Sequence, residues 1–164
     1  MTETELLTKP LPNNKRQLLE GRNYEMYNLD LLRKVFPRII AEHNAAFGRN
    51  QNKPQIRDII ALYFYLLSHV DGKHTRADGS PSDRFGASFP AVTTIASDLG
   101  IAQKRIKPLS DILEANGLIR QKQVWKGKWY IVSFCPRISD DGYIVNEDGE
   151  KVVPDSSIYL RDRH

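Results

Sequence analysis

Two clusters of long hydrogen-bond donors define the chemistry open to this chain. Gln103, Lys104, Arg105 and Lys107 fall within one five-residue stretch, and Lys122, Trp125, Lys126 and Lys128 follow about twenty positions later. Lysine and arginine hold phosphate oxygens or bridge guanine edges, and glutamine bridges adenine. The run Lys126-Gly127-Lys128 suits a tip that lies against phosphates or in a minor groove, and the neighbouring Trp125 packs on that tip or touches sugar. Thr93 and Arg120 are lesser candidates for the same surface. The charge is concentrated accordingly. Residues 101–130 carry seven basic groups against Asp111 and Glu114, a net of +5, whereas the whole chain of 164 residues is only +4. Residues 131–164 are acidic, with four basic groups against seven acids. A positive excess held in one short segment is what a phosphate-binding face requires.

Other chemistries lack their residues. His43, His69, His74 and His164 are scattered, with no Ser-His or Cys-His arrangement. The His-hydrophobe-His metal motif of rolling-circle nucleases is absent, as is a glycine-rich phosphate loop ending in lysine. His69, Asp71, His74, Asp78 and Asp83 match no metal-ligand spacing. The sequence therefore implies no enzyme, no cofactor and no metal. The single cysteine, Cys135, excludes an intrachain disulfide and points to a reducing, cytoplasmic compartment. No apolar run approaches the roughly 18 residues of a membrane span, and the polar start, MTETELLTKPLPNNKR, has no apolar core of a signal peptide.

The elements that must position the donors can be read from spacing. Ala87–Phe89 suits a short strand. Pro90 opens a helix with an apolar stripe at Val92, Ile95, Ala96 and Leu99, and Gly100 supplies a left-handed stop. A second helix runs from about Ala102 to Asn116–Gly117. Ile106, Leu109 and Leu113 face its core side, with Gln103, Lys104 and Lys107 opposite and Arg105 at the flank. Pro108 lies inside this helix and predicts an irregular first turn, because proline deletes a hydrogen bond. Residues 118–124 and 129–134 read as antiparallel strands joined by a turn at Trp125–Lys128, with Gly127 free to adopt positive φ. Trp129, Ile131 and Val124 are the residues expected inside. Helix, tight turn, helix, strand, basic turn, strand is the order of a winged helix-turn-helix. The fold class is thus α+β, mainly α with a small β-wing.

The stretch PAVTTIASDLGIAQKRIKPLSDILEANGLIRQ, with GKWYIV after it, resembles the winged-helix domain at the start of plasmid and phage replication initiators. It is also similar, more distantly, to multiple-antibiotic-resistance-type bacterial regulators. The resemblance covers about residues 55–135. It implies a protein that recognises repeats in double-stranded DNA, as a homodimer or a cooperative array, with a replication or regulatory protein as a further partner. Replication initiation or maintenance is the first expectation. A transcription regulator with the same reader is the alternative, and a winged helix that binds protein rather than DNA is a third.

The remaining chain divides around this core. Residues 1–24 form a polar arm. Residues 25–53 form a helical extension, apolar at Leu29, Leu32, Phe36, Ile39, Ile40 and Phe47, with a kink expected at Phe36–Pro37; it serves as a dimer interface or a clamp. Residues 54–136 are the winged helix itself, whose central helix begins at Pro54 and buries Tyr63 and Tyr65. It includes a polar loop from Asp71 to Ser88. Residues 137–164 are a peripheral tail, with a hairpin turn at Asp148-Gly149.

Overall fold

The computed structural model describes Thr2 and residues 25–49, 52–70, 87–133 and 135–162. The rest of the expected arm and residues 71–86 of the expected loop lie outside the described residues.

The chain is mixed α+β. A π-helical turn, Leu31–Val35, leads into α1 (Phe36–Phe47). Then come α2 (Asp58–Ser68), β1 (Ala87–Ser88), α3 (Val92–Leu99) and α4 (Gln103–Ala115). A hairpin of β2 (Ile119–Val124) and β3 (Gly127–Val132) follows, then β4 (Arg137–Ile138), β5 (Ile144–Val145) and a 3-10 helix, Ser156–Arg161. The three-stranded sheet has the order β1-β3-β2 and is antiparallel throughout; β4 and β5 form a separate pair. Among the described residues no helix is long and apolar enough to cross a membrane.

The kink expected at Pro37 is instead a widened turn. Proline cannot donate to the carbonyl four residues back, and its ring crowds that carbonyl. The backbone swells by one residue, and the Phe36 N–H reaches back five positions to Leu31 O. This rotates the apolar stripe. Leu31 sits fully buried with Val35, Phe36 and Ile39, while Leu29 and Leu32, expected inside, are 54% and 42% exposed.

α2 is apolar around most of its circumference and is central, as its composition predicts. Ile59, Leu62, Tyr63, Leu66 and Leu67 are all buried. It starts at Asp58 rather than at Pro54. Tyr63 is a core residue whose hydroxyl donates to Ser133 O at 2.7 Å. Tyr65 is only half-buried and its hydroxyl donates to Asp98.

One apolar cluster runs through the whole described chain, from Leu31 on the π turn to Ile158 and Tyr159 on the 3-10 helix. The extension and the tail therefore share the core of residues 54–136 and are not appendages to it. The tail is not peripheral. Tyr159 is fully buried, its hydroxyl 2.6 Å from Glu42 on α1. Glu42 also accepts from Tyr143 and from Arg38, and Arg38 donates in turn to Gly142 O and Asn116. The turn at Asp148-Gly149 is present, closed by a single bridge between Val145 and Lys151; the β4–β5 hairpin precedes it.

Candidate nucleic-acid interface

α3 and α4 meet through three residues. Gly100 takes the left-handed conformation (φ 68°, ψ 29°) that ends α3, and the Ile101 N–H returns to Ala96 O. A side chain with a Cβ disfavours that backbone geometry, so glycine fits the stop. Ile101 is buried, Ala102 is extended, and α4 starts at Gln103. Ile106, Leu109, Ile112 and Leu113 fix one face of α4 in the core. The irregular first turn expected from Pro108 is not found: α4 runs unbroken through it. Gln103, Lys104 and Lys107 therefore keep helical spacing on one side, and all three are exposed.

Arg105 corrects the sequence reading. It is expected at the flank of the DNA-facing surface, but it points inward and is 6% exposed. Its Nε and Nη2 donate to the two carboxylate oxygens of Asp162 at 3.1 and 2.9 Å. Nη1 pairs with Asp58, and Nη2 also reaches Gln55 O. The hydrogen bonds it donates to Asp162, and then to Asp58, outweigh burial and push the guanidinium pKa up. All three nitrogens are thus engaged inside the fold, away from any phosphate on the surface.

The β2–β3 register divides the wing candidates between two faces. Val124 pairs with Gly127 across a two-residue turn, Trp125-Lys126, and Gly127 has φ +144°. Successive strand residues alternate sides. Tyr130 and Val132 face the core, with Ile119, Gln121 and Lys128 on the same side. Trp129 and Ile131, expected inside, lie with Arg120 and Lys122 on the outer face, where the indole is half-buried. Trp125 is 94% exposed at the tip, not packed on the hairpin; the Lys126 ammonium stands 5.3 Å from its ring centre. Thr93 is exposed on the first turn of α3.

The inner side of the β2–β3 hairpin is fastened to α4. Lys107 Nζ lies 2.6 Å from Asp111 Oδ1, and the same oxygen accepts from the Gln121 side-chain amide at 2.9 Å. Gln121 Oε1 then accepts from Lys128 Nζ at 3.0 Å. Burial works against the Asp111 carboxylate, but the hydrogen bonds from Lys107 and Gln121 win and hold its pKa low. Burial first, then the Lys107 charge, lowers the pKa of Lys128. Glu114 accepts from the backbone N–H of Gln121 and so covers the open edge of β2.

The arrangement gathers Gln103, Lys104, Lys107 and Lys128 on connected surface, with Lys126 at the tip. It leaves Arg120 and Lys122 on the other side of the hairpin and removes Arg105. Asp111 and Gln121 organise this surface, a role the sequence reading misses. The four-residue spacing of Lys107 and Asp111 on one helix is a readable signal for the first half of that chain; the Gln121 link crosses elements and carries none. Of the residues considered as metal ligands only His69 is described, its Nδ1 2.9 Å from Tyr65 O. Comparison with known proteins finds no protein family, curated protein or solved structure that matches this chain.

Proposed function

We propose that this chain is a winged helix-turn-helix protein that binds double-stranded DNA at specific sequences, without catalysis. The observation that carries the reading is the pairing of two elements. The donors Gln103, Lys104 and Lys107 stand on the solvent face of α4, and the Asp111–Gln121 link holds the basic wing residue Lys128 beside them. Phosphate contacts from lysines set affinity and position, and the helix side chains read base edges. In this reading Gln103 and Lys104, at the N-terminal end of α4, are the base readers, as the first residues of a recognition helix are.

The biological setting proposed is replication initiation or maintenance of a plasmid, phage or mobile element, with the protein acting as a dimer or as an array on repeats. Selection of bound sites from random duplex DNA tests this directly. Several direct repeats support the initiator role, a near-palindrome supports a transcription regulator, and no enriched or salt-dependent duplex binding rejects both in favour of a protein-binding module.

A further inference from the structure

Trp125 occupies a position for which the hairpin itself has no use. Two-residue hairpin turns favour asparagine, aspartate or glycine, yet an indole stands there 94% exposed. Behind it, on the outer face of β3, Trp129 packs at 6.5 Å from Phe89, itself 44% exposed, and the Lys122 ammonium sits 5.5 Å from the Trp129 ring. All three rings line one open cleft of about 720 Å3, between the hairpin and the Phe89–Val92 segment. That volume is within the roughly 300–1,000 Å3 of sites that take small organic groups.

The charge around the cleft selects its occupant. Lys126 and Lys128 line it, and among the described residues no acidic one does. Another groove has Glu114, Glu147 and Asp148 against the single basic residue Arg120 and would repel a polyanion. Flat rings alternating with ammonium groups match a strand of stacked bases joined by phosphates. In a paired duplex the base faces are already covered by their neighbours, so such rings gain contact only where bases are unpaired.

We infer that the cleft between the wing and the Phe89–Val92 segment binds single-stranded DNA, with bases stacking on Trp125 and Trp129 and lysines holding the backbone. This goes beyond the duplex reading of α4, and shares with it only the hairpin lysines Lys126 and Lys128.

The chain has two tryptophans, Trp125 and Trp129, so tryptophan fluorescence reports on this cleft alone. Three probes are titrated: an oligo(dT) strand, an abasic strand of equal length, and a random-sequence duplex. Oligo(dT) should quench the tryptophans and the abasic strand should bind more weakly without comparable quenching. Trp125→Ala, at a site 94% exposed, should leave the unfolding midpoint unchanged, weaken oligo(dT) by about tenfold or more and leave duplex affinity within about twofold. Lys104→Ala with Lys107→Ala should do the reverse. The inference is overturned if oligo(dT) causes no quenching, if the abasic strand binds equally well, or if Trp125→Ala weakens duplex and single strand alike. Duplex binding without oligo(dT) binding sinks this inference and spares the duplex reading. The opposite pattern spares this inference and sinks that reading.

Discussion

Arg105 and Asp162 form a two-pronged ion pair, Nε to Oδ1 at 3.1 Å and Nη2 to Oδ2 at 2.9 Å, between the first turn of α4 and the end of the described chain. Asp162 is fully buried and Arg105 nearly so. Removing one member of a buried pair costs about 3–5 kcal/mol when the other charge is left uncompensated, and because Arg105 keeps Asp58 and Gln55 O the cost here falls at the lower end of that range. Asp162→Ala should therefore destabilise the protein by that order in urea unfolding, even though it follows the last helical turn. A change below about 1 kcal/mol would show that the tail is not part of the cooperative unit.

The turn between β4 and β5 offers a second test of how firmly the tail is seated. Gly142 has φ +88°, and a Cβ there would stand 2.6 Å from the backbone oxygen of Lys34. Gly149 has φ +79°, and a methyl group added there would meet nothing within 4 Å. Gly149→Ala should cost only the left-handed backbone penalty, about 1–2 kcal/mol. Gly142→Ala should cost clearly more, because it also pushes the hairpin off the π turn and breaks the Arg38 bond to Gly142 O. Equal losses in thermal melts of the two variants would contradict the seating of this hairpin on the N-terminal helix.

What the sequence makes legible is what local spacing controls. Gly100 after Leu99, and Ile106, Leu109 and Leu113 on α4, each follow from a helix period and a stop residue a few positions away. Arg105 departs from its expected place because its partner is 57 residues distant and gives no local signal. Trp129 lies outside rather than inside for a related reason. Trp129 and Tyr130 are both apolar enough to be buried, and the pairing of β3 with β2 and β1, over a core that Tyr130 and Val132 enter, decides between them. Leu31 takes the buried place expected of Leu32 because a single widened turn before Pro37 shifts the helix by one residue. For the site, the donor types are readable, but the link from Lys107 through Asp111 and Gln121 to Lys128 depends on tertiary contact.

Asp111 should show in the acid limb of stability. Its carboxyl is held below its ordinary 3.8 in the folded chain. A depressed folded pKa contributes stability above the unfolded value, and that contribution is lost as pH falls through the folded value. Asp111→Asn removes the titrating group, so the variant should lose less stability than the wild type between about pH 5 and pH 3. Urea midpoints measured across that range decide it; parallel curves would mean that the Lys107–Asp111–Gln121 chain contributes nothing in solution.

Lys104 and Lys107 carry the sharpest expectation for binding. Each phosphate neutralised adds about 0.9 to the slope of log affinity against log salt. If both lysines touch phosphate, Lys104→Ala with Lys107→Ala flattens that slope by about 1.8 and lowers duplex affinity, most strongly at low salt. If Lys104 reads a base, the slope falls by only about half as much and discrimination between sites relaxes. Lys107 is coupled to an acid 2.6 Å away, so Lys107→Ala alone also frees the Asp111 charge to repel phosphate. Adding Asp111→Asn to Lys107→Ala should then restore part of the lost affinity. Arg105→Ala provides the contrast: with its guanidinium committed to Asp162 and Asp58, it should lower the unfolding midpoint and leave the salt slope of the folded fraction unchanged. A flattened slope in Arg105→Ala, with Lys104 and Lys107 silent, would place the DNA contact elsewhere on the chain.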